Sequence, residues 1–332
     1  DDQIKTIKEF KGGSSSSIYL AEDFEKKFVR KIISKKKSLK NGPIKLKDQF
    51  NYLSFLSKIN NKLVPYIYQE AEDSKNYYYD IEYLDNFSVL NKTNTSDRIQ
   101  FIKLLFKNLN QYLYNNESIN DKNWLNKHID EKIIPKISSF NNKIIDQIVQ
   151  EDNIVINSKP TISISSIFDN LDIRKKIVKA FSPKYFSYIH GDLTYENILV
   201  SKKNNQIRFI DTDSNFDFYP IELDLGKLFQ SVFLNYESWD KSKKILFEFE
   251  DINFLKVNFL KSKFLKDIDL IISFYSKKLS IPKHKTKDYA LFYMSLHLIR
   301  MIPYKKEKSL KQATYAAICS RYFLNQILTL IT

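Results

Sequence analysis

The chain has few of the residues that usually brace or punctuate a protein. A single cysteine, Cys319, among 332 residues excludes an intramolecular disulfide and a thiolate metal cluster. Only four histidines and five glycines are present. There is no internal repeat and no Pro- or Gly-rich linker. No apolar run approaches the ~18 residues that a membrane-spanning helix needs, and no signal-peptide pattern is seen. The most apolar late stretch, ALFYMSLHLI at 290–299, is too short to span and reads as a buried helix. These absences lead to the expectation of a cytoplasmic protein without a transmembrane segment.

Charge and core residues are abundant. Hydrophobic residues make up 43%, with 25 Phe and 21 Tyr, enough to build a sizeable core. Lys and Arg total 53 against 39 Asp and Glu, a net charge of +14. Such a surplus admits nucleic acid, an anionic membrane surface or a phosphorylated substrate as partner. The lysines are scattered, however, and accompany a chain-wide bias to Lys, Asn, Ile, Tyr and Phe. That pattern reads as a solvated surface, and no specific nucleic-acid partner is expected.

Periodicity divides the chain into two parts. Ile4, Ile7 and Phe10, then IYLAED, then KFVRKII at 27–33 read as strands, the first two joined through KGGSSSS. Leu46, Phe50, Leu53 and Leu56 fall at helical spacing. VPYIYQ and NYYYDIEYL follow as strands, with Tyr77, Tyr78 and Tyr79 alternating across the second. From about residue 95 the pattern is helical, with Ser96 as N-cap and Ile99, Ile102, Leu105, Leu109 and Tyr112 on one face. Residues 151–171 read as a loop. Short strands at 198–200 and 207–210 interrupt a chain that is otherwise helical from 222–235 and from 243 to the end. The expected fold class is α+β. Residues 1–85 form a small β-rich lobe and 86–332 a larger, mostly helical one.

The stretch IHGDLTYENILV, 189–200, concentrates scarce residues around an acid. HGDLTYEN fits H-x-D-L-x-x-x-N, the catalytic-loop pattern of phosphoryl-transfer enzymes. Phosphoryl transfer needs an acceptor hydroxyl held in line, and Asp192 is placed to take its proton. It also needs a hard cation on the phosphates, and oxygen ligands suit Mg²⁺. Asn197 offers an amide carbonyl from the same loop. Asp211, in RFIDTD after the following hairpin, offers a carboxylate, and Asp213 is a further ligand or a turn residue. His190 reads as an organiser of the loop and not as a base. Two of the five glycines, Gly12 and Gly13, sit at the first hairpin tip, where the amides of Ser14, Ser15, Ser16 and Ser17 could cradle phosphates. Lys31, at the end of the next strand, is placed to meet the α- and β-phosphates, and Arg30 points to the opposite face.

With these pieces in this order, the sequence resembles the aminoglycoside phosphotransferase and choline kinase-like group of the protein-kinase-like superfamily. FKGGSSSSIYL, VRKI, YDIEYLD, HGDLTYENILV, FIDTD and ELDLGKLFQS carry the resemblance, over residues 10–231. It implies a bilobal kinase-like fold and an ATP- and Mg²⁺-dependent phosphotransferase. The 1–85 lobe would bind nucleotide, with backbone groups of Glu82, Tyr83 and Leu84 meeting adenine. The 86–332 lobe would bind the acceptor. A weaker likeness, in SLHLIRMIPY, is to kinase-like proteins of bacterial capsule or surface-glycan gene sets.

Two departures stand out. Where a helical glutamate should pair with Lys31, the chain has Gln49, with Asp48 beside it. Gly191 stands where protein kinases carry an arginine that reads a phosphorylated loop, and few residues separate Asp211 from the helix near Leu223. Both features of the Gly191 region point to a small hydroxyl acceptor, a sugar or other metabolite. Two other readings stay open: a kinase-like module that holds nucleotide without transferring phosphate, and a binder of anionic polymers.

Overall fold

The β-rich part is built on one strand. In a computed structural model, described for residues 4–10, 16–24, 26–35, 42–115, 121–138, 140–213, 217–242, 246–251, 253–259 and 262–331, strands β1 (Lys5–Phe10), β2 (Ser17–Asp23) and β3 (Lys26–Ser34) form an antiparallel ladder. Helix α1 (Gly42–Ile59) follows, then strands β4 (Ile67–Glu72) and β5 (Asn76–Glu82). The sheet order is β1-β2-β3-β5-β4. This is the strand-strand-strand-helix-strand-strand order expected from the sequence.

The β3–β5 register pairs Lys31 with Tyr79, Ile33 with Tyr77 and Arg30 with Asp80. Alternation therefore sends Lys31, Tyr77 and Tyr79 to one face and Arg30 to the other. Tyr77 and Tyr79 are buried. On the opposite face Arg30 makes a two-pronged ion pair with Asp80, at 2.8 and 2.9 Å, and lies 4.0 Å over the Tyr78 ring. Helix α1 buries Leu46, Leu53 and Leu56. Gln49 lies one turn after Leu46, on the face turned to the sheet, and Phe50 meets Tyr79 at 5.7 Å.

A second small sheet is formed by the hairpin Ile198–Ser201 and Gln206–Phe209, with Ser88–Val89 added beside its first strand. Phe209 donates its amide to the Leu63 carbonyl at 2.7 Å, and Arg208 reaches the Lys62 carbonyl at 2.7 Å. These bonds tie the hairpin to the segment between α1 and β4. Helix α2 (Thr95–Asn108) is capped by Asn94, whose side chain accepts from the Asp97 amide at 2.9 Å. Ser96, the expected cap, lies inside the first turn. A widened turn at Leu109–Leu113 then rotates the helix face, so Leu113 and Tyr114 are fully buried and Tyr112 is not.

The chain divides into two compact units that do not follow chain order. One comprises Asp1–Asn115 and His190–Phe218, the other Asn116–Ile189 and Tyr219–Thr332. The second unit is mainly helical, including Lys143–Gln150, Leu171–Phe181, Glu222–Val232, Leu265–Leu279, Lys283–Lys306 and Leu310–Leu328. It also holds a sheet that the sequence reading missed. Ile154–Ile156, Lys159–Thr161, Phe247–Asp251 and Phe254–Val257 are strands, where a loop and helix were expected. Each has five residues or fewer, and the central pair, Ile154–Ile156 with Phe254–Val257, is parallel between segments distant in the chain. Such pairing leaves little local signature.

Two features of this unit have measurable consequences. Gly226 permits helix Glu222–Val232 to press on Lys283–Lys306: a Cβ there would lie 2.7 Å from the Tyr293 carbonyl carbon. Gly226→Ala should cost about 1–3 kcal/mol in unfolding free energy. Three buried titratable groups set a pH dependence. His128 stacks on Trp124 at 4.5 Å, and burial, with Arg300 and Lys132 nearby, pushes its pKa down from 6.5 to about 3. Burial also holds His297, bonded to the Leu223 carbonyl, well below its usual range. Both imidazoles stay neutral when folded, so the stability they leave intact above pH 6.5 is lost as pH falls below it, because the unfolded chain takes up the protons. Glu222 works oppositely. Burial lifts it from 4.5 to about 7, so its contribution is lost as pH rises through that window. These two histidines, together with the buried His190 of the other unit, whose pKa is lowered to about 4, outweigh one glutamate between pH 4.5 and 6.5. Thermal melts should show the midpoint falling on acidification from pH 6.5, and His128→Phe should flatten that slope by roughly 1.4 kcal/mol per pH unit.

Candidate active site

Every described candidate for the phosphate and cation chemistry lies within the first compact unit. Lys31 is 6% exposed and points from β3 toward α1. Its ammonium donates to Gln49 Oε1 at 2.7 Å and to Asp211 Oδ1 at 2.7 Å. Gln49 thus takes the place expected of a glutamate and still holds Lys31, while Asp48 is exposed and supplies no substitute charge. The Gln49 amide nitrogen donates onward to the Thr212 carbonyl at 2.9 Å. Tyr79 donates its hydroxyl to Gln49 Oε1 at 3.2 Å. Burial and the Asp211 charge hold the Tyr79 pKa well above 10, so it remains a donor.

The loop after the hairpin is held on both sides of Asp211. Ile210 donates its amide to the Asn197 carbonyl at 3.1 Å, and Asp213 donates to the His190 carbonyl at 2.8 Å. Between them Asp211 takes φ +53°, a left-handed conformation that costs a non-glycine residue free energy and persists where neighbouring bonds fix it. Its side chain stays 34% exposed, so the carboxylate can meet a ligand.

Asn197 orients the other acid. Its amide nitrogen donates to the Asp192 carbonyl at 2.8 Å and to Asp192 Oδ2 at 2.9 Å. The Asn197 Oδ1 is thereby turned away from Asp192 as a hard-oxygen donor. His190 is fully buried, with its ring edge-on to Phe209 at 5.4 Å. Burial lowers its pKa from 6.5 to about 4 against the opposing pull of Asp192, Asp211 and Asp213. It is neutral at physiological pH and braces the loop. Gly191 has φ +82°, and a Cβ there would stand 2.4 Å from the Asp213 Cβ. The loop has no space for a side chain at 191, which accounts for the missing arginine.

The donor set fits Mg²⁺. Among the described residues no group of three or more His, Cys, Asp or Glu forms a protein-only metal cage. One carboxylate and one amide oxygen, Asp211 and Asn197, suit an ion that keeps waters and takes its remaining ligands from phosphates.

Gly12, Gly13, Ser14 and Ser15 lie outside the described residues. Ser16 is buried just ahead of β2. In the segment proposed for adenine, the Glu82 amide is committed to the Tyr66 carbonyl at 2.8 Å, and a Glu82 carboxylate oxygen accepts from the Tyr66 amide at 3.1 Å. The Leu84 carbonyl accepts from Phe87. Tyr79 was read from sequence only as part of an alternating strand, and Thr212 was not singled out. The pairing of Tyr79 with Lys31 would have found the first; Thr212 contributes a backbone atom and has no side-chain signature.

No family model and no curated protein matches the sequence. Solved structures do. A protein assigned as a fructosamine-3-kinase, from Haemophilus somnus 129PT, superposes with a TM-score of 0.59 at 15% identity, covering 98% of this chain and 91% of that one. The aminoglycoside phosphotransferase APH(4)-Ia gives 0.58 at 10% identity, over 97% and 94%. The chain has the protein-kinase-like fold. A microcompartment-associated aminopropanol kinase shares that fold at a TM-score of 0.51 and 13% identity, over 100% of this chain and 96% of its own. Identities this low establish architecture alone.

The glycine requirement gives a direct check on the loop. Gly191→Ala combines a disfavoured φ with a clash and should lower stability by about 2–4 kcal/mol in denaturant melts.

Proposed function

We propose that the protein is a kinase that transfers the γ-phosphate of ATP, with Mg²⁺, to a hydroxyl of a small sugar or amino-alcohol metabolite. The observation that carries this reading is the convergence of Lys31 and Asp211 at 2.7 Å together with the Asn197–Asp192 bond at 2.9 Å. A strand lysine, a left-handed acid and a loop acid oriented by an amide provide what positioning and charge stabilisation of a phosphoryl group require. The names of the structural neighbours, kinases of a fructosamine, an aminopropanol and aminoglycosides, support small polyhydroxy or amino-alcohol acceptors. The likeness to surface-glycan proteins remains a feature of sequence and does not enter the proposal.

In this reading Asp192 accepts the proton of the acceptor hydroxyl. A bond forms from that oxygen to the γ-phosphorus as the bond to the β-phosphate bridging oxygen breaks, and ADP leaves. Asn197 Nδ2 holds the Asp192 carboxylate in place, and Asn197 Oδ1 and Asp211 hold the cation. Mg²⁺ held there would neutralise charge on the β- and γ-phosphates. Lys31 steadies the α- and β-phosphates, and adenine is met at Tyr83 and Leu84, since the Glu82 amide is already engaged.

An ADP-release assay across amino-alcohol and sugar acceptors tests the assignment. Asp192→Asn should lower kcat by about 10²–10⁴-fold with nucleotide affinity kept within a few-fold. Near-normal turnover by Asp192→Asn with an acceptor that wild type phosphorylates would remove Asp192 from the chemistry.

A further inference from the structure

Gln49 does more than stand in for a glutamate. Its oxygen accepts from Lys31 and Tyr79, while its nitrogen donates to the Thr212 carbonyl. A glutamate could do the first but not the second, since a carboxylate has no proton to give. The amide therefore ties α1 to the residue next to Asp211. It also brings no charge. Among the described residues, Asp211 is the one carboxylate within ion-pair distance of Lys31. This is the same carboxylate assigned to the cation.

We propose that Gln49, by leaving Asp211 as the sole counter-charge of Lys31 among the described residues, makes divalent-cation binding at Asp211 conditional on nucleotide. The inference rests on the phosphotransfer reading above. Without nucleotide, Asp211 is neutralised by an ammonium 2.7 Å away, and a cation must compete with it. Phosphates offer Lys31 another anion and free the carboxylate. Cation and nucleotide then strengthen each other's binding by the same factor. Gln49 acts in this scheme through the charge it lacks, and its hydrogen bonds to Lys31 and the Thr212 carbonyl place that neutral group beside the pair.

Mn²⁺ binding to the nucleotide-free protein, followed by electron paramagnetic resonance, tests this without turnover. Wild type should bind Mn²⁺ weakly. Gln49→Glu adds a second carboxylate to Lys31, and Lys31→Met removes the competing ammonium. Each should tighten nucleotide-free Mn²⁺ binding about tenfold. Gln49→Met cuts the same hydrogen bonds without adding charge and should stay within about twofold of wild type. Wild-type affinity in both Gln49→Glu and Lys31→Met would overturn the proposal. So would equal tightening in Gln49→Met and Gln49→Glu, since lost tethering and not charge would then be the cause. Adding Asp211→Ala to Gln49→Glu should abolish the gain. If the gain survives, the cation is not at Asp211, and it is the site assignment beneath the proposal that fails.

Discussion

The ion pair between Lys31 and Asp211 is the contact on which the first unit's architecture converges. It joins residues 180 positions apart, and several independent devices deliver its two ends. The β3–β5 register turns Lys31 to the buried face and seats Tyr79 opposite it. Helix α1 brings Gln49 over that face. Bonds from Ile210 and Asp213 flank Asp211, which takes a left-handed conformation that is costly for a non-glycine residue. The lysine is nearly buried and the aspartate is partly open, so the ammonium is fixed while the carboxylate can still meet a ligand. A buried charge of this kind needs a partner, and losing that partner is costly. The pair therefore aligns strand, helix and loop before any ligand arrives.

The scarcity of glycine and histidine becomes intelligible at this site. With five glycines in the chain, each described position in a crowded place has a structural reason. Gly191 fits where no Cβ can, and this allows His190 and Asp213 to meet through their backbones. His190 is neutral because it is buried, and its ring packs edge-on to Phe209. Asp192 is oriented by an amide and Asp211 by a lysine, so the two acids sit in different surroundings.

Much of this was legible in the sequence because it is written locally. The β-rich order of residues 5–82, the helix around Leu46, Leu53 and Leu56, and the hairpin after Asn197 all carry short-range patterns. HGDLTYEN and FIDTD concentrate chemistry at fixed spacing, and the structure brings Lys31 to Asp211 and Asn197 to Asp192. The misses share one cause, which is information held by distant partners. Strands Ile154–Ile156 and Phe254–Val257 exist because they pair with each other. The buried face beyond Leu109 shifts through a widened turn that propensity does not encode. Asn94 displaced Ser96 as cap through backbone conformation. Gln49 reads as a weakened glutamate in sequence because its hydrogen bond to the Thr212 carbonyl, a backbone atom, leaves no signature there.

The central claim is that Asp211 and Lys31 form a nucleotide and cation site. The most direct test is thermal unfolding of wild type and Asp211→Ala with ATP, with and without Mg²⁺. The account predicts a rise in melting temperature for wild type that needs both ATP and Mg²⁺ and is largely lost in Asp211→Ala. No rise with ATP and Mg²⁺, or an equal rise in the variant, would contradict it.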